Sequence, residues 1–115
     1  MAVNSIISIG LFWGITATLC VKDRSTDIHV SGSILNGGAW EYGIVNNVVK
    51  LMEQFGDATF LDIGANLGMY AVTVSAMKRQ VVAVDGDPVN VAFIHKSASM
   101  SNTTDYIRIV YNSVR

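Results

Sequence analysis

Phe60-Leu61-Asp62-Ile63-Gly64-Ala65-Asn66-Leu67-Gly68, followed by Val81-Val82-Ala83-Val84-Asp85, is the stretch on which the fold turns. The apolar run Thr59 to Ile63 is stopped by Gly64 and reads as a strand buried on both faces. A helix is expected next. Leu67, Tyr70, Ala71, Val74 and Met77 recur at helical spacing, and Lys78 and Arg79 stand where cations complement the negative end of that helix's dipole. Val81 to Val84 reads as a second buried strand, closed by the acidic turn Asp85-Gly86-Asp87-Pro88. Asp87 before Pro88 is an N-cap and N1 pair that opens another helix, with Val91, Ile94, His95 and Ala98 as its stripe. Tyr106 to Tyr111 then alternates into a third strand. Strands and helices alternating over short connections imply right-handed crossovers and a parallel sheet. The fold class is therefore α/β, a Rossmann-like doubly wound parallel sheet that stops after its third strand.

Upstream, Ile44, Val45, Val48, Leu51, Met52 and Phe55 mark an amphipathic helix from Tyr42 to about Phe55. Gly32, Gly37, Gly38 and Gly43 punctuate a loop before it, and Asp27 to Ser31 alternates as a half-buried strand would. Between Met1 and Val21 there is no charged side chain, so residues 1–21 form an apolar segment distinct from residues 22–115. Three readings compete there: a signal peptide or anchor, a single membrane span, and a buried strand or helix of the domain. A span needs about 20 apolar residues, which this stretch barely supplies once Asn4, Ser5, Ser8, Thr16 and Thr18 are counted. No basic residue precedes the run, as a signal peptide would require, and Lys22 and Arg24 follow it. A span would therefore leave the domain on the cytoplasmic side, whereas a cleaved signal would put it outside. Membrane association through residues 1–21 is thus one reading among three, and localisation stays open between cytoplasmic, membrane-associated and secretory.

With 115 residues, 50% of them hydrophobic and 15% charged, the chain makes one domain, poorer in charge than the usual figure of about 25%. A net charge of -1 supplies no excess of cations to neutralise a phosphate backbone, so nucleic acid is not an expected partner. Cys20 stands alone, which excludes an internal disulfide and a cysteine-rich zinc cluster. His29 and His95 are too far apart in sequence to suggest a metal site, and each reads as a packing or hydrogen-bonding residue.

A strand turning into a helix is where sheets of this class bind nucleotides. Gly64 removes a side chain where the backbone turns tightly, and Gly68 lets the helix pack close to the strand. Asp85, ending the neighbouring strand, is placed to accept hydrogen bonds from a ribose diol. The pattern is not the dinucleotide fingerprint, because Asn66 stands where a middle glycine admits the pyrophosphate. Asp62 adds a carboxylate that suits an ammonium group and repels phosphate. The chemistry favours S-adenosylmethionine over NAD.

Phe60 to Tyr70 and Val82 to Pro88, with Val30 to Ile34 and Gly38 to Glu41 upstream, resemble the start of an FkbM-type methyltransferase domain, a branch of the class I S-adenosylmethionine-dependent enzymes. The resemblance covers roughly Leu19 to Arg115 and implies a partial methyltransferase-like domain over residues 22–115. It implies that Gly64, Ala65, Asn66 and Gly68 hold the methionine part of the cofactor, Asp62 its amino group and Asp85 the ribose hydroxyls. Asn112 falls where the family often contacts adenine or its surroundings. Family members usually carry Glu-Pro where this chain has Asp85-Gly86, so the carboxylate sits on a shorter side chain. A class I sheet has seven strands, and its acceptor-binding and catalytic groups generally follow the fourth. The chain stops at Arg115, so a fragment, an incomplete gene model or a degenerate domain is expected, with low activity, and no catalytic base is assigned.

Plainer roles stand beside these. Asp62 can cap a turn, Asp85 can be a solvated turn acid, and Asp87 is a helix cap before it is a ligand contact. Trp40-Glu41 opens the first helix, where Glu serves the dipole and Trp the core. Asn102-Thr103-Thr104 is a glycosylation triplet whose meaning depends on secretion. The leading expectation is S-adenosylmethionine-dependent methylation of a small-molecule or carbohydrate-type hydroxyl. The alternatives are a non-catalytic cofactor-binding or scaffold fragment, tethered to a membrane or not, and an NAD-dependent oxidoreductase.

Overall fold

A computed structural model describes residues 5–10, 16–21 and 39–113. The strand expected at Asp27 to Ser31, the glycines 32, 37 and 38, the upstream residues of the family resemblance before Ala39, and His29 lie outside the described residues. The elements run β1 (Ser5–Gly10), β2 (Thr16–Val21), α1 (Ala39–Gln54), β3 (Phe60–Ile63), α2 (Met69–Ala76), β4 (Val81–Asp85), α3 (Pro88–Met100) and β5 (Ile107–Tyr111). The architecture is α/β. Strands β3, β4 and β5 form a parallel sheet in that order, with Asp62 opposite Ala83 and Val84 opposite Val110. β1 and β2 pair antiparallel as a separate hairpin, Ser5 opposite Val21 and Gly10 opposite Thr16.

α2 and α3 pack on one face of the parallel sheet, β2 lies against both helices, and α1 packs on α2. Ala17, Leu19 and Cys20 of β2 are fully buried and share one core with Val45, Val72, Val74, Ala83 and Ile94. Two serines of the α3 end secure this contact. The Cys20 N–H donates to Ser97 Oγ at 2.8 Å, the Thr18 N–H donates to Ser101 Oγ at 2.8 Å, and the Ser101 hydroxyl donates to the Thr18 carbonyl at 2.9 Å. These bonds satisfy backbone groups that the hairpin ladder leaves open. None of the described helices is long and apolar enough to cross a membrane.

Several local expectations shift. α1 begins at Ala39, so Gly43 is a helix residue and not a loop marker; a methyl added there would meet nothing, and its cost is the usual entropic one. α2 is buried almost all round, at Met69, Ala71, Val72, Thr73, Val74 and Ser75, because sheet, α1 and β2 surround it. In α3 the buried residues are Phe93, Ile94, Ser97 and Ala98, and His95 faces solvent. Ile94 and Ala98 are buried as expected, while Phe93 and Ser97 take the places expected of Val91 and His95; Ser97, polar in sequence, is buried where it bonds β2. β3 is covered on one face only among the described residues: Leu61 and Ile63 are each 59% exposed.

Arg79 does not serve the end of its own helix. Its Nη1 donates to the Met52 carbonyl, and its Nη2 donates to the carbonyls of Phe55 and Ala58 at 2.8 and 2.9 Å. The guanidinium thus closes α1, whose last carbonyls have no intrahelical donors. Lys78 ends α2 in the left-handed region at φ 60°, and Asn102 does the same after α3 at φ 57°, the ordinary position for a residue just past a helix.

Candidate functional site

The site is built where β3 and β4 end. Gly64, Asn66 and Gly68 all have positive φ, 75°, 54° and 89°, so the chain reverses hand at alternate residues between β3 and α2. Glycine takes this conformation without strain, and asparagine tolerates it better than most residues do. A Cβ on Gly68 would stand 3.0 Å from Val72 Cγ2 and 3.2 Å from Ile94 Cγ1, so the close approach here is to side chains of α2 and α3 and not, as the sequence suggested, to a strand. The turn's amides find internal acceptors: Gly64 and Ala65 donate to the Val84 carbonyl at 2.8 and 3.0 Å, and Gly68 donates to the Ala65 carbonyl at 2.9 Å.

Asp85 ties this turn to the next one. Its Oδ2 accepts the Asn66 N–H at 2.8 Å, while its Oδ1 accepts the Asp87 N–H at 2.9 Å and Asn90 Nδ2 at 3.2 Å. Only 7% of the residue is exposed, so these bonds replace the water it has lost. It is therefore not a solvated turn acid. Asp87 caps α3, its carboxylate accepting the Val89 N–H at 2.8 Å with Pro88 in the first turn.

Asp62 lies deeper along β3. The Ala71 N–H, in the first turn of α2, donates to its carboxylate, but its Oδ2 is buried with no hydrogen-bond partner among the described residues. Burial raises its pKa from 3.8 to about 6, the negative charge of Asp85 adds to the rise, and the Ala71 bond opposes it. A buried carboxylate oxygen without a donor is a costly arrangement unless a cation or donor completes it.

Ile63, Gly64, Val84, Asp85, Gly86, Asn112 and Ser113 line a cleft of about 220 Å³ at the carboxyl ends of all three parallel strands. Its volume falls below the roughly 300–1,000 Å³ of a drug-sized pocket and suits a ribose-sized group. Of the residues expected from sequence, Gly64, Asp85 and Asn112 meet at this cleft. Asn66 is exposed and joins it through Asp85, whereas Ala65 and Gly68 are buried and shape the turn from behind.

Sequence reasoning missed Gly86, Ser113 and Asn90. Gly86 was visible as the residue after the acid: a Cβ there would stand 3.1 Å from Ser113 Cβ, so its absence lets β5's exit pass beside the cleft. Asn90 gave no signal, since its role depends on Asp85 five residues earlier. Trp40-Glu41 lies in the first turn of α1, and His95 points away from the cleft into solvent. Among the described residues no three of His, Cys, Asp and Glu come together as a metal site. Compared with protein-family models, with curated proteins and with solved structures, the chain finds no match.

Proposed function

We propose that this chain binds S-adenosylmethionine at the strand-end cleft, in the manner of a Rossmann-like class I methyltransferase. The observation that carries the reading is the buried, unpartnered Oδ2 of Asp62 behind the glycine turn, beside a cleft that Asp85, but not Asp62, lines. Two carboxylates at adjacent strand ends favour a ligand with ammonium and sulfonium charge and oppose one with a pyrophosphate. Asp62 then receives the amino group and Asp85 the ribose hydroxyls, while Asn112 lies at the far wall.

The cofactor, when bound, supplies a methyl group already activated by its positive sulfur. What the protein adds is position: the turn fixes the methionine part, and Ile63 and Val84 give the cleft apolar walls beside it. Acceptor and general base are unassigned, and a hydroxyl oxygen is the nucleophile the family resemblance suggests. Calorimetric titration of the full chain with S-adenosylmethionine, S-adenosylhomocysteine and NAD tests the reading. The first two are expected to bind at least about tenfold tighter than NAD, a difference of about 1.4 kcal/mol. Tighter binding of NAD would replace the methyltransferase reading with the oxidoreductase one.

A further inference from the structure

The geometry points to Asp85 as an internal anion that occupies the phosphate-binding position of the glycine turn, so that this site selects nucleosides without a pyrophosphate. The inference deepens the cofactor reading and rests on it for where a ligand sits.

Turns whose residues alternate in hand aim successive backbone N–H groups into one concavity, and such concavities bind phosphate oxygens. Here Gly64, Asn66 and Gly68 supply that alternation, and α2 begins directly behind them. The donor at the centre is the Asn66 N–H, and the oxygen it meets at 2.8 Å is Asp85 Oδ2. A carboxylate on a backbone N–H is the same charge-assisted bond that a phosphate would make. Three further turn donors are also taken, Gly64 and Ala65 by the Val84 carbonyl and Gly68 by the Ala65 carbonyl.

Nor is Asp85 free to step aside. Its other oxygen is fixed by the Asp87 N–H and by Asn90 Nδ2, both at the start of α3, and the residue is buried. A pyrophosphate would have to displace a buried carboxylate from its donor and then lie against its charge. Asp62, near enough to Asp85 for the two charges to interact, adds a second acid behind the turn. The specificity thus comes from an acid filling the turn as much as from the missing middle glycine.

The test is titration of the full chain and of Asp85→Asn and Asp85→Ala with inorganic pyrophosphate, followed by calorimetry and by the ¹⁵N amide resonance of Asn66. The native chain is expected to show no binding at millimolar pyrophosphate and an Asn66 amide that does not move. Either folded variant should bind pyrophosphate at least about tenfold more tightly than the native chain, with a shift at Asn66. Pyrophosphate binding by the native chain that moves Asn66, or folded variants that gain nothing, overturns the inference. Should both variants fail to fold, pyrophosphate binding by the native chain that moves Asn66 still overturns the inference. A parallel titration with S-adenosylhomocysteine separates the two readings: its failure to bind while pyrophosphate remains excluded removes the cofactor reading alone.

Discussion

Replacing Asp62 by Asn should make the protein more stable near neutral pH while removing the group that best explains a cationic ligand. The folded-state pKa of Asp62 is raised, from 3.8 to about 6, chiefly by burial. An acid with a raised pKa holds its proton better when folded. Its favourable contribution is therefore fully present below about pH 3.8 and is lost as pH rises through about 6. The full shift would correspond to about 3 kcal/mol, and solvent screening at a partly exposed group brings this to about 1–2 kcal/mol. Asparagine keeps an oxygen for the Ala71 N–H but brings an amide hydrogen to the place of the unpartnered Oδ2, which returns part of the gain. A net stabilisation of about 1 kcal/mol above pH 7 follows, shrinking to nothing or reversing near pH 4. Urea unfolding followed by circular dichroism at several pH values measures it, and the difference between the two proteins cancels the other acids. A variant less stable than the native chain at pH 7.5, or a difference that does not change between pH 4 and 7, would refute the reasoning.

Arg79→Gln should cost about 1–3 kcal/mol, since the carbonyls of Met52 and Ala58 lose a donor and that of Phe55 keeps only the Ala58 N–H, and the loss appears as a lower urea midpoint. Ser97→Ala leaves the buried Cys20 N–H without an acceptor; a cost of about 1–2 kcal/mol is expected, with faster hydrogen exchange at the Cys20 amide than at Val72. Unchanged exchange at Cys20 would mean that β2 does not depend on this bond. Lys78→Gly should raise stability by about 0.5–1 kcal/mol because φ 60° is strained for lysine and easy for glycine, and thermal melting shows the sign.

The parallel unit was legible because each of its signals is local. Gly64 stops β3, Asp87 and Pro88 open α3, and the apolar run Val81 to Val84 needs no distant partner to be read as a strand. The hairpin was not legible in this way. Its apolar run leaves a span, a signal or anchor and a core strand or helix in competition, and its fit to the core depends on Ser97 and Ser101, far along the chain, whose hydroxyls bond its backbone. The same two facts explain the partly misplaced stripe of α3: a period of 3.6 does not distinguish His95 from Ser97 once a serine is buried by its hydrogen bond. Of the residues singled out by type and spacing, Gly64, Asp85 and Asn112 meet at the cleft. The internal wiring there was not legible, because the partners of Asp85 are two backbone amides and one asparagine that carry no motif.

That wiring limits how a ligand is held. An ionised carboxylate offers about four lone-pair sites, and Asp85 already fills three of them with Asn66, Asp87 and Asn90. A ribose diol brings two donors, so the second can bond Asp85 only if an internal partner gives way. The contact from Asn90 Nδ2 is the longest of the three at 3.2 Å and the only one from a side chain that can rotate, so it is the one to release. Asn66 and Asp87 are held by the backbone on either side of the carboxylate and stay in place. Binding in the cofactor reading is therefore coupled to the first turn of α3 through Asn90, while the glycine turn itself remains in the shape it has without a ligand.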